Sequence, residues 1–286
     1  LANAGYDVSF IARGEHLKAI KNNGLKIISE LGDMIIHPAK ASDNPADFEI
    51  ADIVLFCVKS YDTESSSNLI KPIVGQNTAV IPFLNGIGHI EIMQKILGKN
   101  PVIGGVAAIS ALISEPGVIQ HNSAMQMLKF GEFNNIISPR IKAFQEACEK
   151  SGINNNIPEN IECDIWQKII MICTLAGANC ITRLPLGVCR TNPATRNFMK
   201  NLAEEAVEIA KAENIILPDN QVEITMKQLD SLPEAMKAST LPALEKGEKL
   251  EASALNGAIS ILGNKHKINT PAHKAVYAAL SPHENG

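Results

Sequence analysis

The sequence predicts an α/β domain built on a parallel sheet, followed by an all-helical domain. In the first half, short and largely apolar strand patterns alternate with helical patterns. Strands of this kind are typical of a parallel sheet that helices cover on both faces, the doubly wound architecture. From about Glu159 the pattern is helical almost throughout. We therefore expect a boundary near Pro158, with domains of residues 1–158 and 159–286.

The elements of the first half follow from apolar runs and turn residues. Strands are predicted at Val8–Ala12, Asp52–Lys59, Ala79–Gly86 and Val102–Ser110. Helices are predicted near His16–Asn23, Thr63–Ile70 and Ile90–Leu97, and a short hairpin at Leu25–Ile28 and Met34–His37. Unbroken apolar strands that alternate with helices indicate parallel pairing.

The second half carries helix-start signals and helical periodicity. Asn192-Pro193 combines a capping residue with a first-turn proline. Apolar residues then recur at helical spacing along one face: Phe198, Leu202, Ala206 and Ile209. Further helices are predicted at Ala254–Leu262 and Pro271–Leu280.

The chain begins with a pattern that ends a helix. Gly5 lies where a helix C-terminus needs a residue without Cβ, just before the strand at Val8–Ala12. A helix that ends there needs at least two more turns before Leu1. We therefore expect a preceding strand, glycine-rich loop and helix start outside this sequence. The alternative is a short, frayed first turn.

Composition narrows the class of protein. Hydrophobic residues make up 45% and charged residues 20%, with a formal net charge of −4, so nothing indicates binding to nucleic acid or an anionic membrane. Six cysteines occur without a CxxC pair, which predicts no metal site and buried free thiols in a reducing compartment. The apolar run Ile169–Ile181 is shorter than the roughly 20 residues of a membrane span. A cytoplasmic location is expected.

Three polar side chains lie at the carboxyl ends of predicted parallel strands, where ligands bind in such sheets. Arg13 follows the first strand, a position at which arginine suits the 2′-phosphate of NADP. Lys59 could attract a carboxylate or a cofactor phosphate, and Asn85 precedes two glycines that leave room for a ligand. The alternatives are an exposed arginine, an exposed lysine and an ordinary Asn-Gly turn.

Lys168 is the strongest catalytic candidate. Helical spacing places it one turn from Ile165 and Ile172, within a mainly apolar segment. An ammonium there is costly to desolvate unless it faces a cleft, and desolvation lowers its pKa, which makes it a better proton donor near neutral pH. The alternative is a lysine whose stem lies along the apolar surface while its ammonium reaches water.

Ser239 and Glu251 complete the candidate set. Glu251 stands at the start of a predicted helix, where a carboxylate can complement the helix dipole or accept hydrogen bonds from substrate hydroxyls. Sequence patterns alone leave both interpretations open.

These segments together resemble the ketopantoate reductase family over nearly the whole chain. The matching segments are Cys57–Ser60, Leu84–Gly88, Pro116–His121, Trp166–Lys168, Pro185–Gly187, Gly247 with Glu251 and Asn256-Gly257, and Tyr277–Pro282. Each is weak alone, but their shared order and spacing are specific. The resemblance implies an oxidoreductase with a Rossmann-like domain, incomplete at its N-terminus, and a helical catalytic domain. It also implies NADPH-dependent reduction of 2-dehydropantoate to pantoate in pantothenate biosynthesis.

The resemblance assigns a role to each candidate. Lys168 would be the general acid, and Glu251 would orient the substrate with help from Ser239. Lys59 and Asn85 would line the site for cofactor and substrate. Arg13 would bind the 2′-phosphate of NADP. The implied partner is a small 2-oxoacid, and the family contains monomers and dimers.

The sequence departs from the family pattern at three points. The glycine-rich loop that seats the pyrophosphate would precede Leu1. Ile172 and Ala176 stand where well-studied members carry asparagines, and Ala243 stands where members often carry an acid. Two alternatives to 2-dehydropantoate reduction therefore stay open. The protein could reduce a different 2-oxoacid, or it could be a degenerate relative without catalytic activity.

Overall fold

The computed structural model describes residues 1–286, which divide into two compact units. Unit 1 comprises Leu1–Val58, Asp62–Leu84 and Ile90–Ile161, and unit 2 comprises Lys59–Tyr61, Asn85–His89 and Glu162–Gly286. Two short segments from the first half of the chain thus belong to unit 2. Each of them follows a strand, so residues at strand ends become part of the helical unit.

Unit 1 contains nine strands: β1 (Ser9–Ile11), β2 (Leu25–Ser29), β3 (Met34–Ile36), β4 (Lys40–Ser42), β5 (Ala51–Phe56), β6 (Val74–Pro82), β7 (Gly104–Glu115), β8 (Val118–Gly131) and β9 (Asn155–Asn156). Parallel pairs join β1 to β4, β5 to β6, β2 to β8 and β8 to β9. The predicted α/β class is confirmed, and so is the antiparallel hairpin of β2 with β3.

One strand that was predicted in a parallel sheet pairs mainly with an antiparallel neighbour. The run Val102–Ser110 was expected in a parallel sheet, and its first residue, Val102, does bridge in parallel to Val80 of β6. The rest of the run, β7, pairs antiparallel with β8 as a long hairpin. The two strands meet at the Pro116-Gly117 turn, where Gly117 has a φ of 80°, a conformation that favours glycine. Apolar residues alone do not distinguish parallel from antiparallel neighbours, which explains the difference.

The first half also contains four helices: α1 (Gly14–Asn23), α2 (Thr63–Leu69), α3 (Gly88–Leu97) and α4 (Pro139–Lys150). Two of them, α3 and α4, cover β6 on opposite faces. Val80 packs in a cluster with Met93 of α3, whereas its neighbour Ile81 packs in another cluster with Phe144 of α4. Successive strand residues point to opposite faces, so β6 is buried on both sides, as its unbroken apolar run predicts. At the chain start, Gly5 ends a short 3-10 helix with a φ of 86°, which confirms its predicted left-handed conformation.

The second half contains seven helices: α5 (Ile161–Thr182), α6 (Leu186–Thr191), α7 (Pro193–Ala212), α8 (Gln221–Ser231), α9 (Thr240–Lys246), α10 (Ala258–His266) and α11 (Pro271–Leu280). The predicted start at Asn192-Pro193 is confirmed, because the Asn192 side chain accepts hydrogen bonds from two backbone N–H groups of the first turn of α7. The predicted helix Ala254–Leu262 instead begins as a π-helical turn at Ser253–Gly257 and continues as α10.

Helix α5 is the one helix long and apolar enough to cross a membrane by length and composition. Of its most apolar window, 67% is buried within the protein. This burial is typical of the central helix of a folded unit. Packed against it are α7 and α10, through residues such as Ile169, Ile209 and Ile259.

All six cysteines are free thiols. Four of them are buried: Cys148, Cys173, Cys180 and Cys189. The expectation of burial is wrong for Cys57, which lies exposed just after β5, and only partly met by Cys163.

Candidate active site

Lys168 lies in the second turn of α5, and its surroundings are largely apolar. Ile165 and Ile169 beside it are buried, and Ile172 one turn further on is partly buried. Burial of the Lys168 side chain lowers its pKa from 10.5 to about 8, because the charged form loses hydration. The group therefore stays mostly protonated at neutral pH and gives up its proton far more readily than an exposed lysine.

Glu251 is held in one orientation by the segment that follows β5. Its carboxylate accepts a hydrogen bond of 2.8 Å from the backbone N–H of Ser60. The second oxygen lies 3.4 Å from the ammonium of Lys59. Only 13% of the Glu251 side chain is exposed, whereas 60% of Lys59 is. The backbone bond therefore fixes the carboxylate, and the exposed lysine adds about 1 kcal/mol or less.

The π-helical turn after Glu251 is anchored to α5. Asn256, which is buried, donates to the backbone carbonyl of Cys173 at 3.2 Å and contacts the ring of His273 at 3.1 Å. His273 is also buried and interacts with the Leu202 carbonyl at 2.9 Å. These bonds connect the start of α10 with the Lys168 helix, so the backbone that carries Glu251 is rigid.

Asn85 belongs to a segment that packs closely on the same parts of unit 2. Gly86 has a φ of 106°, and a Cβ there would lie 2.8 Å from the carbonyl oxygen of Ala254. Ile87 packs against the apolar cluster of α5. Asn85 itself is half-buried. Both the positive φ and the close approach to the Ala254 backbone therefore require glycine at position 86.

His89 was not among the residues singled out from the sequence. It closes the segment Asn85–His89 and is 6% exposed. Burial, together with the charge of Lys168, lowers the pKa of His89 to about 4. Its ring is therefore neutral at physiological pH. The signal in the sequence was its place four residues after Asn85, directly after the motif Leu84–Gly88.

Ser239 is exposed and immediately precedes α9. The residue before it is fixed to α5, because the backbone N–H of Ala238 donates to the buried Asn179 side chain at 2.9 Å. Asn179 also donates to the Leu184 carbonyl at 2.8 Å. The structure therefore fixes the backbone next to Ser239 and leaves the Ser239 side chain exposed.

Arg13 lies in unit 1, two residues after β1 and directly before α1. Its backbone is extended and its side chain is exposed. An exposed guanidinium at a strand end and a helix start suits an anionic group of a dinucleotide. The residue present therefore fits the cofactor that the fold implies. No group of three or more His, Cys, Asp or Glu residues that could hold a metal ion occurs in the chain.

Two family models match the chain. Residues 1–135 match the model described as "Ketopantoate reductase PanE/ApbA", and residues 160–284 match the model of its C-terminal part. Together the matches leave only short segments uncovered.

Relatives and solved structures agree with these matches. "Uncharacterized oxidoreductase YkpB" of Bacillus subtilis is 30% identical over 99% of this chain and 93% of its own length. A 2-dehydropantoate 2-reductase of Pyrococcus horikoshii is 26% identical over 100% of this chain and 92% of its own length. The crystal structure of a PanE/ApbA family ketopantoate reductase from Ralstonia eutropha superposes with a TM-score of 0.89, at 27% identity, over 99% of this chain and 92% of that one.

A match in both halves, in the same order and over nearly the whole length, goes beyond a shared fold. The chain belongs to the ketopantoate reductase family of NAD(P)-dependent oxidoreductases.

Proposed function

We propose that this protein reduces 2-dehydropantoate to pantoate with NADPH, as a step of pantothenate biosynthesis in the cytoplasm. The observation that carries the proposal is the largely buried Lys168, whose pKa of about 8 suits a proton donor near neutral pH. Family membership supports the reaction class. The substrate is a small 2-oxoacid, and the protein acts as a monomer or homodimer.

In this proposal each candidate residue has one task. NADPH, when bound, supplies the hydride that reduces the C2 carbonyl of the substrate. Lys168 stabilises the negative charge that develops on the carbonyl oxygen and donates the proton to it. Glu251, held by the N–H of Ser60, accepts a hydrogen bond from the substrate hydroxyl and so orients it.

The remaining candidates bind rather than react. Arg13 binds the 2′-phosphate of NADPH, which its exposure at a strand end permits. Lys59 and Asn85 line the site for cofactor and substrate, and Ser239 adds a hydroxyl for the substrate. Both Lys59 and Asn85 belong by their contacts to the unit that carries Lys168.

A second candidate substrate is a 2-oxoacid with an apolar side chain. Ile172 and Ala176 follow Lys168 by one and two turns of α5, and neither can donate or accept a hydrogen bond through its side chain. If these residues contact the substrate, they favour a methyl group over a hydroxyl.

Oxidation of NADPH with a panel of 2-oxoacids tests both candidates. The matched pair is 2-dehydropantoate and trimethylpyruvate, which differ only in the terminal hydroxyl. We expect the higher kcat/KM with 2-dehydropantoate. A preference for trimethylpyruvate would support the second candidate, and no oxidation with any 2-oxoacid would remove the proposed function.

A further inference from the structure

The backbone departs from a regular α-helix directly after Glu251. Leu255 has a φ of −103° and a ψ of −106°, which lie outside the helical region, although the backbone is helical again at Gly257. The N–H of Gly257 donates to the carbonyl of Ala252, five residues earlier, at 2.9 Å. The result is a single π-helical turn, Ser253–Gly257, a feature frequently found at functional sites.

This turn, rather than the helical repeat of α10, sets the direction of Glu251. In a regular helix the direction of each side chain follows from that of its neighbours, and an inserted π-helical turn breaks this relation. The carbonyl of Glu251 accepts hydrogen bonds from the backbone N–H groups of Ala254 at 3.1 Å and Leu255 at 3.2 Å, so its backbone is bonded directly to the turn. Whatever holds the turn therefore also holds the carboxylate that the Ser60 N–H contacts.

Close packing leaves the turn little room to shift. A Cβ at Gly257 would lie 2.9 Å from the ring of Tyr277 on α11. On another side, the carbonyl oxygen of Ala254 lies so near the backbone of Gly86 that a Cβ there would be only 2.8 Å from it. The turn therefore packs against both α11 and the segment Asn85–His89.

Asn256 is the buried polar side chain of this turn, and it is 1% exposed. Its amide nitrogen lies 3.2 Å from the carbonyl oxygen of Cys173 on α5 and 3.1 Å from Nδ1 of His273 on α11. An amide nitrogen only donates, so Nδ1 accepts and the ring proton lies on Nε2, which donates to the Leu202 carbonyl on α7 at 2.9 Å. One amide group thus ties the turn to the helix that carries Lys168 and, through His273, to α7.

The ring of His273 is fixed by more than its own hydrogen bonds. Glu205 on α7 accepts hydrogen bonds from the backbone N–H groups of Ala272 at 2.8 Å and His273 at 3.0 Å, in the first turn of α11. The acceptor that faces Asn256 is therefore part of a rigid frame. Because hydrogen bonds are directional, an amide bonded to such a frame fixes the orientation of the turn more narrowly than apolar contacts do.

We propose that Asn256 is a positioning residue for the reduction, which fixes the direction of the Glu251 carboxylate and through it the preference for a substrate with a hydroxyl group. The inference rests on the proposed function, in which Glu251 accepts a hydrogen bond from the substrate hydroxyl. Asn256 itself is too deeply buried to touch the substrate. Its loss should therefore weaken recognition of the hydroxyl group and leave reduction of the carbonyl largely intact.

The test measures kcat/KM for 2-dehydropantoate and for trimethylpyruvate, which lacks the hydroxyl group, and takes the ratio of the two as the hydroxyl preference. In Asn256→Ala we expect this ratio to fall about tenfold, the effect of losing one hydrogen bond to a charged group. The matched control is Thr225→Ala on α8, which removes a buried hydrogen bond of 3.1 Å from Gln221. It should lower the Tm, as Asn256→Ala does, and leave the ratio unchanged.

Two further comparisons address the route through Glu251. In a Glu251→Gln background, Asn256→Ala should change the ratio no further, since the carboxylate that it positions is gone. His273→Leu removes an acceptor of Asn256 and should lower the ratio by a smaller factor, whereas His273→Gln retains one acceptor and one donor and should recover it. The two His273 variants carry the test by themselves if Asn256→Ala does not fold.

An unchanged ratio in Asn256→Ala, or an equal loss of kcat/KM for both substrates, would overturn the inference and leave the proposed function standing. A further fall of the ratio in the Glu251→Gln background would do the same. If Asn256→Ala does not fold, equal ratios in His273→Leu and His273→Gln would overturn the inference. A wild-type protein that oxidises NADPH with no 2-oxoacid would remove the proposed function and this inference together.

Discussion

Arg13 in unit 1 and Lys168 in unit 2 are both cations associated with the start of a helix, but their surroundings differ. Arg13 directly precedes α1 and is exposed, so water and salt screen its charge. Lys168 lies within α5 among buried isoleucines, and burial lowers its pKa to about 8. Exposure leaves a charge suited to recognition, because a ligand can reach it from solvent. Burial makes a charge suited to chemistry, because it can be lost and regained.

From this contrast between Arg13 and Lys168, we expect the largest loss of turnover for a substitution at Lys168. Lys168→Met retains much of the side-chain length and removes the ammonium, so we expect kcat for the preferred 2-oxoacid to fall by about a hundredfold or more. The matched control is Lys200→Met on α7, where the lysine side chain is 57% exposed and turnover should not change. Steady-state kinetics of the two variants measure the difference. Equal turnover in both would show that Lys168 takes no part in the reaction.

The same substitution should stabilise the protein. At a pH below 8 the folded state holds an ammonium that prefers water, so its removal should raise the free energy of unfolding by up to about 3 kcal/mol. The gain should disappear as the pH rises from about 8 towards 10.5, because the wild-type lysine then loses its proton in the folded state. Chemical denaturation at pH 7 and at pH 10 tests this. A loss of stability at pH 7 would indicate that packing of the side chain outweighs its desolvation.

The pH dependence of turnover sharpens the contrast between the two cations. In the proposed mechanism reduction needs the protonated form of Lys168, so kcat should be constant below about pH 8 and then decrease towards tenfold per pH unit. Arg13 is proposed to bind the cofactor and to transfer no proton, so the KM for NADPH should not follow this profile. A pH–rate profile of wild type measures both parameters. A kcat that stays flat to pH 10 would be inconsistent with proton donation by Lys168.

Local signals in the sequence predicted local structure well. The cap at Asn192-Pro193, the helix Pro271–Leu280 and the left-handed Gly5 all lie where the sequence indicated, because each depends on a few adjacent residues. The apolar flanks of Lys168 predicted its burial for the same reason. The direction of the β7 neighbour was not predictable, since an apolar strand looks alike in both kinds of sheet.

The long-range parts of the candidate site could not be predicted. Glu251 is fixed by the backbone N–H of Ser60, 191 residues earlier, and a backbone donor leaves no trace in the residue type. Asn179 fixes the backbone before Ser239 across 59 residues, by a contact that depends on the packing of α5. His89 looked like an ordinary residue at the start of α3 until its burial was visible.

The smallest expected effect on catalysis is that of a substitution at Arg13. It tests recognition of the cofactor rather than proton transfer. Arg13→Ala should raise the KM for NADPH about tenfold and leave that for NADH nearly unchanged, because only NADPH carries the 2′-phosphate that the guanidinium is proposed to bind. Since the side chain is exposed, the preference of wild type for NADPH should also weaken as salt is added. Lys21→Ala, at the other end of α1, is the matched control for loss of one positive charge. If Arg13→Ala raised both KM values equally, its effect would be general to dinucleotide binding, and the selectivity for NADPH would have to come from another residue.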